Sequence, residues 1–212
     1  MKKVILLGAG LLLLCCFSAE KASANNRFSL QLGVTPWTVP TNEIKTGTSG
    51  GKIGYIFSFG YCFVDETSYF RPSIGLGLKK ISLKGKDLLF EREPEEPRIN
   101  YYTTDWHWTN LLFFGKLEIG NDKFIPYGKI GIGLCHLNLD YFVPRGSYSV
   151  SEDYFGLSFE LGLKWRLNLM NTFLFGEAGY DITPKVSPPI DLDRKVKSAE
   201  VVQFSAGLGF SF

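Results

Sequence analysis

Apolar side chains recur at every second position through eight separate stretches of the chain, and this period of two constrains the fold more than any other feature. RFSLQLGV sets Phe28, Leu30, Leu32 and Val34 against Ser29, Gln31 and Gly33. KIGYIFSFGYCF, YFRPSIGLGL, NLLFFGKLEI and YGKIGIGL repeat the pattern, and YFGLSFELGLKWR shows it most clearly. FLFGEAGYD is weaker. The closing QFSAGLGFSF puts Phe204, Ala206, Leu208, Phe210 and Phe212 on one parity, with Gln203, Ser205, Gly207, Gly209 and Ser211 on the other. Termini are usually frayed and polar. This one reads as a strand with one greasy face, running to Phe212.

The connections alternate in length. VDETS, GNDK and NLMN are short, whereas TVPTNEIKTGTSG, KGKDLLFEREPEEPRIN, FVPRGSYSVSE and TPKVSPPIDLDRKVK are long and polar. An even strand number with short turns at one end and long loops at the other is the pattern of a barrel that crosses a membrane. The 23 glycines and 15% aromatic content suit an all-β chain.

The first residues supply a compartment. Lys2 and Lys3 precede an apolar run from Val4 to Phe17, and Ala22-Ser23-Ala24 has the small-x-small form of a cleavage site. The run is shorter than the ~20 residues of a membrane-spanning helix, so residues 1–24 are expected to be a secretory signal peptide. Leu14 before Cys15 suits lipoprotein processing poorly. Residues 25–212 are then expected to be one barrel domain. They hold 20 basic and 20 acidic residues, a balance that argues against nucleic acid as partner. Cys62 and Cys135 are the only cysteines outside the leader, which excludes a disulfide-stapled scaffold.

A soluble sandwich would carry scattered Lys, Glu and Thr on its polar face. Here that face is rich in Gly and Ser, with a few long charged residues, which suits the cramped interior of an eight-stranded barrel. The greasy face spans roughly ten residues per strand, the length a tilted strand needs to cross a bilayer. Closure satisfies every backbone group, as lipid requires. Trp37, Tyr61, Phe63, Phe124, Tyr127, Tyr154, Trp165 and Tyr180 lie near segment ends and are expected to form interfacial girdles.

These residues together resemble the OmpA/OmpX-type eight-stranded outer-membrane β-barrels over the whole of residues 25–212. The last eight residues are similar to the C-terminal signal of such proteins, with Ser205, Gly207, Phe210 and Phe212 at its defining positions. The resemblance implies an up-and-down antiparallel meander in the bacterial outer membrane, in contact with its lipid and lipopolysaccharide. It further implies a monomer whose final strand is read by the barrel-assembly machinery.

The inward parity carries Gln31, Arg71, Lys116, Glu118, Lys129, Glu160, Lys164, Glu177, Asp181 and Gln203. Lone buried charges cost several kcal/mol, so these are expected to pair into a structural plug. A narrow gated ion path through the same charges is the alternative. For catalysis, Asp105 and His107 share a face, but no serine neighbours His107 or His136 along the chain in a hydrolase-like motif. No catalytic, cofactor or metal residues are therefore assigned, and a lipid A-modifying enzyme stands third among the functional readings. Cys62 and Cys135 are expected at opposite ends of the barrel. Parity changes after Leu78 and after Leu134, as a bulge or strand continuation above the membrane would produce. FEREPEEPR is expected at the tip of a protruding hairpin, as a solvated loop with no specific role in the favoured reading and as a contact for a surface ligand in the alternative. The expected role is envelope integrity or adhesion.

Overall fold

The computed structural model describes residues 27–40, 51–65, 67–91, 98–120, 123–143, 146–167, 171–184 and 198–212. The proposed signal peptide lies outside them. Eight strands follow one another: β1 (Phe28–Pro40), β2 (Gly51–Cys62), β3 (Phe70–Glu91), β4 (Arg98–Ile119), β5 (Phe124–Val143), β6 (Gly146–Arg166), β7 (Thr172–Pro184) and β8 (Ser198–Ser211). Each pairs antiparallel with its sequence neighbour, and β8 returns to β1 to close the barrel. The Phe28 and Phe212 backbones exchange two hydrogen bonds of 2.9 Å at the seam. Two of the short turns use left-handed backbone, at Gly120 (φ 96°) and Asn171 (φ 53°). Glycine and asparagine are the residues that adopt that conformation most readily.

The register sets the tilt. An outward row runs Phe155–Leu134–Leu111–Leu78–Phe57–Leu32–Leu208–Leu174 and re-enters β6 at Trp165, ten residues from where it left. Such a stagger requires strands inclined at about 35–45° to the barrel axis. Two register shifts interrupt the walls, one between Val34 and Trp37 on β1 and one between Lys52 and Tyr55 on β2. Pro36 sits in the first, where its missing N–H costs no ladder bond. Gly54 sits in the second, where an added Cβ would lie 2.5 Å from the Lys80 carbonyl oxygen.

The parity changes on β3 and β5 are strand continuation. β3 pairs with β4 without a shift from Phe70↔Ile119 to Glu91↔Arg98, and β5 pairs with β6 without a shift from Phe124↔Trp165 to Val143↔Gly146. The apolar residues change sides because the surroundings change. Above the Leu78–Leu111–Leu134–Phe155 row the outward positions turn polar, at Lys80, Thr109, His136 and Asp153, and Ile81, Trp108 and Leu137 fill the interior instead. The expected loops KGKDLLFEREPEEPRIN and FVPRGSYSVSE are thus mostly strand, with only 92–97 and 144–145 between the paired residues. The tip of FEREPEEPR falls in that first gap, outside the described residues, as do 41–50 and 185–197.

Two girdle assignments are corrected. Tyr127 and Tyr154 share the inward parity of their strands, Tyr127 being buried. A phenol inside a narrow barrel reaches a carboxylate rather than the membrane interface: Tyr127 donates to Glu177 and Tyr154 to Glu152. Trp37, Phe63, Phe124 and Trp165 do face outward.

Candidate functional site

Alternation on each strand delivers one side chain in two to the interior, and the register decides which of them meet. At the short-turn end, β3 supplies Arg71, β4 supplies Lys116 and Glu118, and β6 supplies Lys164. Arg71 Nη2 donates to Glu118 Oε2 at 2.5 Å, and Lys116 Nζ donates to Glu118 Oε1 at 2.9 Å. Lys164 Nζ lies 3.6 Å from the same carboxylate and 4.1 Å from the centre of the Phe173 ring. A cavity of about 20 Å³ lies among Arg27, Ser29, Arg71, Lys116 and Lys164.

Further into the barrel, Lys79 is a hub. Its ammonium donates to Glu160 at 2.5 Å, to Asp181 at 3.0 Å and to Ser158 at 3.2 Å. Lys129 pairs with Glu160 and, at 3.3 Å, with Glu177, which also accepts the Tyr127 hydroxyl at 2.9 Å. Gln31 accepts a 2.8 Å bond from Ser58 across the β1–β2 pair. Gln203 is buried against Gly179, where an added Cβ would lie 2.8 Å from its Nε2. The structure therefore brings eight of the ten inward residues assigned from sequence into two ionic clusters, and leaves Gln31 and Gln203 beside them. Glycines make room for rings: a Cβ on Gly162 would approach Tyr127 Cζ to 2.3 Å.

Sequence reasoning missed Lys79, Ser158 and Tyr127 as members of this network. The signal for Lys79 was present, because the parity of Arg71, Ser73, Gly75 and Gly77 continues to residue 79. Counting stopped one residue short, at Leu78, where the outward face ceases to be apolar. Among the described residues no group of three or more potential metal-ligating side chains converges. The interior chemistry is that of charges neutralising one another in a confined, low-dielectric space.

On the outer wall, the β8 positions fall as alternation dictates. Ser205 points inward and shares a 3.0 Å hydrogen bond with Thr35, and Gly207 backs onto the Leu32–Gly33 backbone. Phe210 pairs with Leu30 and Thr172, and the Phe212 ring stacks on Phe28 at 6.0 Å. Cys62 ends β2, while Cys135 is buried inside β5 towards the other rim, and both are free thiols.

The histidines acquire partners that linear sequence did not show. Ser82 Oγ lies 3.0 Å from His107 Nδ1 across the β3–β4 pair. His136 sits between Asp153, at 2.7 Å from Nδ1, and Ser151, at 3.1 Å from Nε2. The absence of a serine–histidine motif along the chain does not bear on these contacts, because both are made between strands and not along one.

No protein-family model matches the sequence, and no curated protein does either. Solved structures do resemble it. Neisserial surface protein A (NspA) superposes with a TM-score of 0.54 at 15% identity, covering 90% of this chain and 100% of that one. Ail, the attachment invasion locus protein of Yersinia pestis, gives 0.49 at 15% identity, with 89% and 99% covered. The N-terminal barrel domain of Pseudomonas aeruginosa OprF gives 0.43 at 15% identity, with 90% and 100% covered. The fold is that of the OmpA/OmpX-type eight-stranded outer-membrane barrels.

Proposed function

We propose that this protein is an integral outer-membrane barrel with a plugged interior, whose working surface is the four-stranded extension formed by β3 to β6. The observation that carries the reading is a pair of open sheet edges. Among the described residues, β3 pairs with β2 only as far as Leu83, and β6 pairs with β7 only from Leu157 onwards. Among the described residues, 84–91 and 146–156 therefore lack a second strand partner, leaving backbone N–H and C=O groups on the outer edges of the extension. Such edges are templates for an added strand, so the partner chemistry they suit is an extended segment of a surface ligand protein. This is an adhesive or envelope-stabilising role.

Residues 1–24 then act as a cleaved export signal, and Ser205, Gly207, Phe210 and Phe212 as the pattern read by the assembly machinery. A monomer sits in outer-membrane lipid and lipopolysaccharide. The plug follows from the reach of the ionic clusters across the barrel, from Arg71 on β3 to Asp181 on β7.

The test is to delete residues 84–105, which joins Leu83 to its register partner Trp106 and removes the tallest hairpin. The shortened barrel should fold into outer-membrane vesicles yet lose binding to host-cell or matrix surfaces. Undiminished binding by that variant overturns the surface reading. Purified protein in planar bilayers should show no steady, discrete channels. Their appearance would replace the plug with a pore.

A further inference from the structure

We propose that Ser151, His136 and Asp153 form a nucleophile, base and orienter that cleave a fatty-acyl ester of an outer-leaflet lipid. The site goes beyond the surface-binding role: Ser151 and Asp153 lie on the β6 segment that forms one open edge, but the site uses their side chains and not the edge backbone. Two strands suffice to build it. His136 and Asp153 are direct register partners on β5 and β6, and Ser151 is the next outward residue along β6, diagonal to His136. That diagonal is within side-chain reach across an antiparallel pair. The result is Ser151 Oγ at 3.1 Å from His136 Nε2, and Asp153 Oδ1 at 2.7 Å from His136 Nδ1. Both ring nitrogens are occupied in the order that a general base requires: a carboxylate fixes the Nδ1–H tautomer and leaves Nε2 to accept the hydroxyl proton.

Position selects the substrate. The outward row immediately below is Leu134 and Phe155, both more than half exposed on the lipid-facing wall. Hydrocarbon therefore ends where His136 and Asp153 begin, which is the depth at which acyl chains meet their ester carbonyls. Asn138, the register partner of Ser151, adds a carboxamide whose Oδ1 is buried with no hydrogen-bond partner.

The step balances without a cofactor. Ser151 Oγ attacks the acyl carbonyl carbon as its proton passes to His136 Nε2. The ester C–O bond then breaks and the lipid alkoxide takes that proton, leaving an acyl-serine. Water, deprotonated by His136, displaces the fatty acid and restores the Ser151 hydroxyl.

The test uses full-length barrel folded into two kinds of vesicle, one containing lipid A and one containing only phosphatidylethanolamine. Folding of each variant is checked by its heat-modifiable mobility on gels. A fluorophosphonate probe should label Ser151, located by peptide mass mapping, and free fatty acid should accumulate. Release from one vesicle type and not the other identifies the ester source. Ser151→Ala should lower labelling and release at least about 100-fold, His136→Asn comparably and Asp153→Asn about 10-fold or more. Lys80→Ala, on the same outward row as His136 but two strands away, should match the unmodified protein. Three results overturn the proposal: a folded barrel with no label on Ser151, label without fatty acid from either vesicle, or release that survives Ser151→Ala.

Discussion

The same four strands present opposite faces above and below one row of residues. Below Leu78–Leu111–Leu134–Phe155, the outward positions of β3 to β6 are mostly Leu, Ile and Phe, with Pro72, Gly115, Pro126, Gly128 and Trp165 among them, and the inward ones include Arg71, Lys116, Glu118, Lys129 and Glu160 beside the rings of Phe114 and Tyr127. Above it, the outward rows become Lys80–Thr109–His136–Asp153 and Ser82–His107–Asn138–Ser151, while Ile81, Trp108 and Leu137 turn inward. The backbone register does not change across the boundary. A strand therefore has no intrinsic inside or outside. Lipid takes the apolar side in one half, and the barrel interior takes it in the other.

The largest test of that contrast removes the ionic hub. Lys79→Met removes the ammonium that Asp181 and Glu160 share, leaving Glu160 its ion pair with Lys129, and should cost about 3–5 kcal/mol of unfolding free energy, measured by urea titration in vesicles. The comparison would break if this substitution were neutral. Trp108→Ala, in the inverted apolar layer, should cost about 3–5 kcal/mol, as core truncations of large aromatics do. Trp165→Ala, on the lipid-facing wall, should cost distinctly less in the same titration. Placing arginine at two outward positions of one strand sharpens the boundary itself. Leu161→Arg should cost about 2–4 kcal/mol if it lies near the bilayer midplane, whereas Ser149→Arg beyond the row should change stability by no more than about 0.5 kcal/mol. The smallest effect is kinetic. A maleimide reagent should modify Cys62, which is partly exposed, in the folded barrel, and should reach Cys135, which is buried, only after unfolding.

Much of this was legible in the sequence because alternation is a local signal. Strand number and the inward parity of Arg71, Glu118, Glu160 and Asp181 both follow from counting by two. What counting could not carry is the cross-strand register and the change of surroundings. Lys79 was lost because the greasy face that guided the count ends at Leu78, though the strand does not. Tyr127 looked interfacial by position along the chain, yet its parity placed it beside Glu177. The Ser151–His136–Asp153 contact depends on which residue of β6 faces which residue of β5, and periodicity within either strand is silent on that.

The seam where Phe28 and Phe212 exchange hydrogen bonds has a consequence for assembly. Hairpins such as β3–β4 join residues close in the chain and can form early, but β1 finds its second partner only when β8 arrives. Until then both β1 and β7 are raw edges, open to any neighbouring strand. Completion is thus a single late event of very high contact order, and slow on that account. A chain deprived of β8 is not a slightly smaller barrel. It is an open sheet with two adhesive margins.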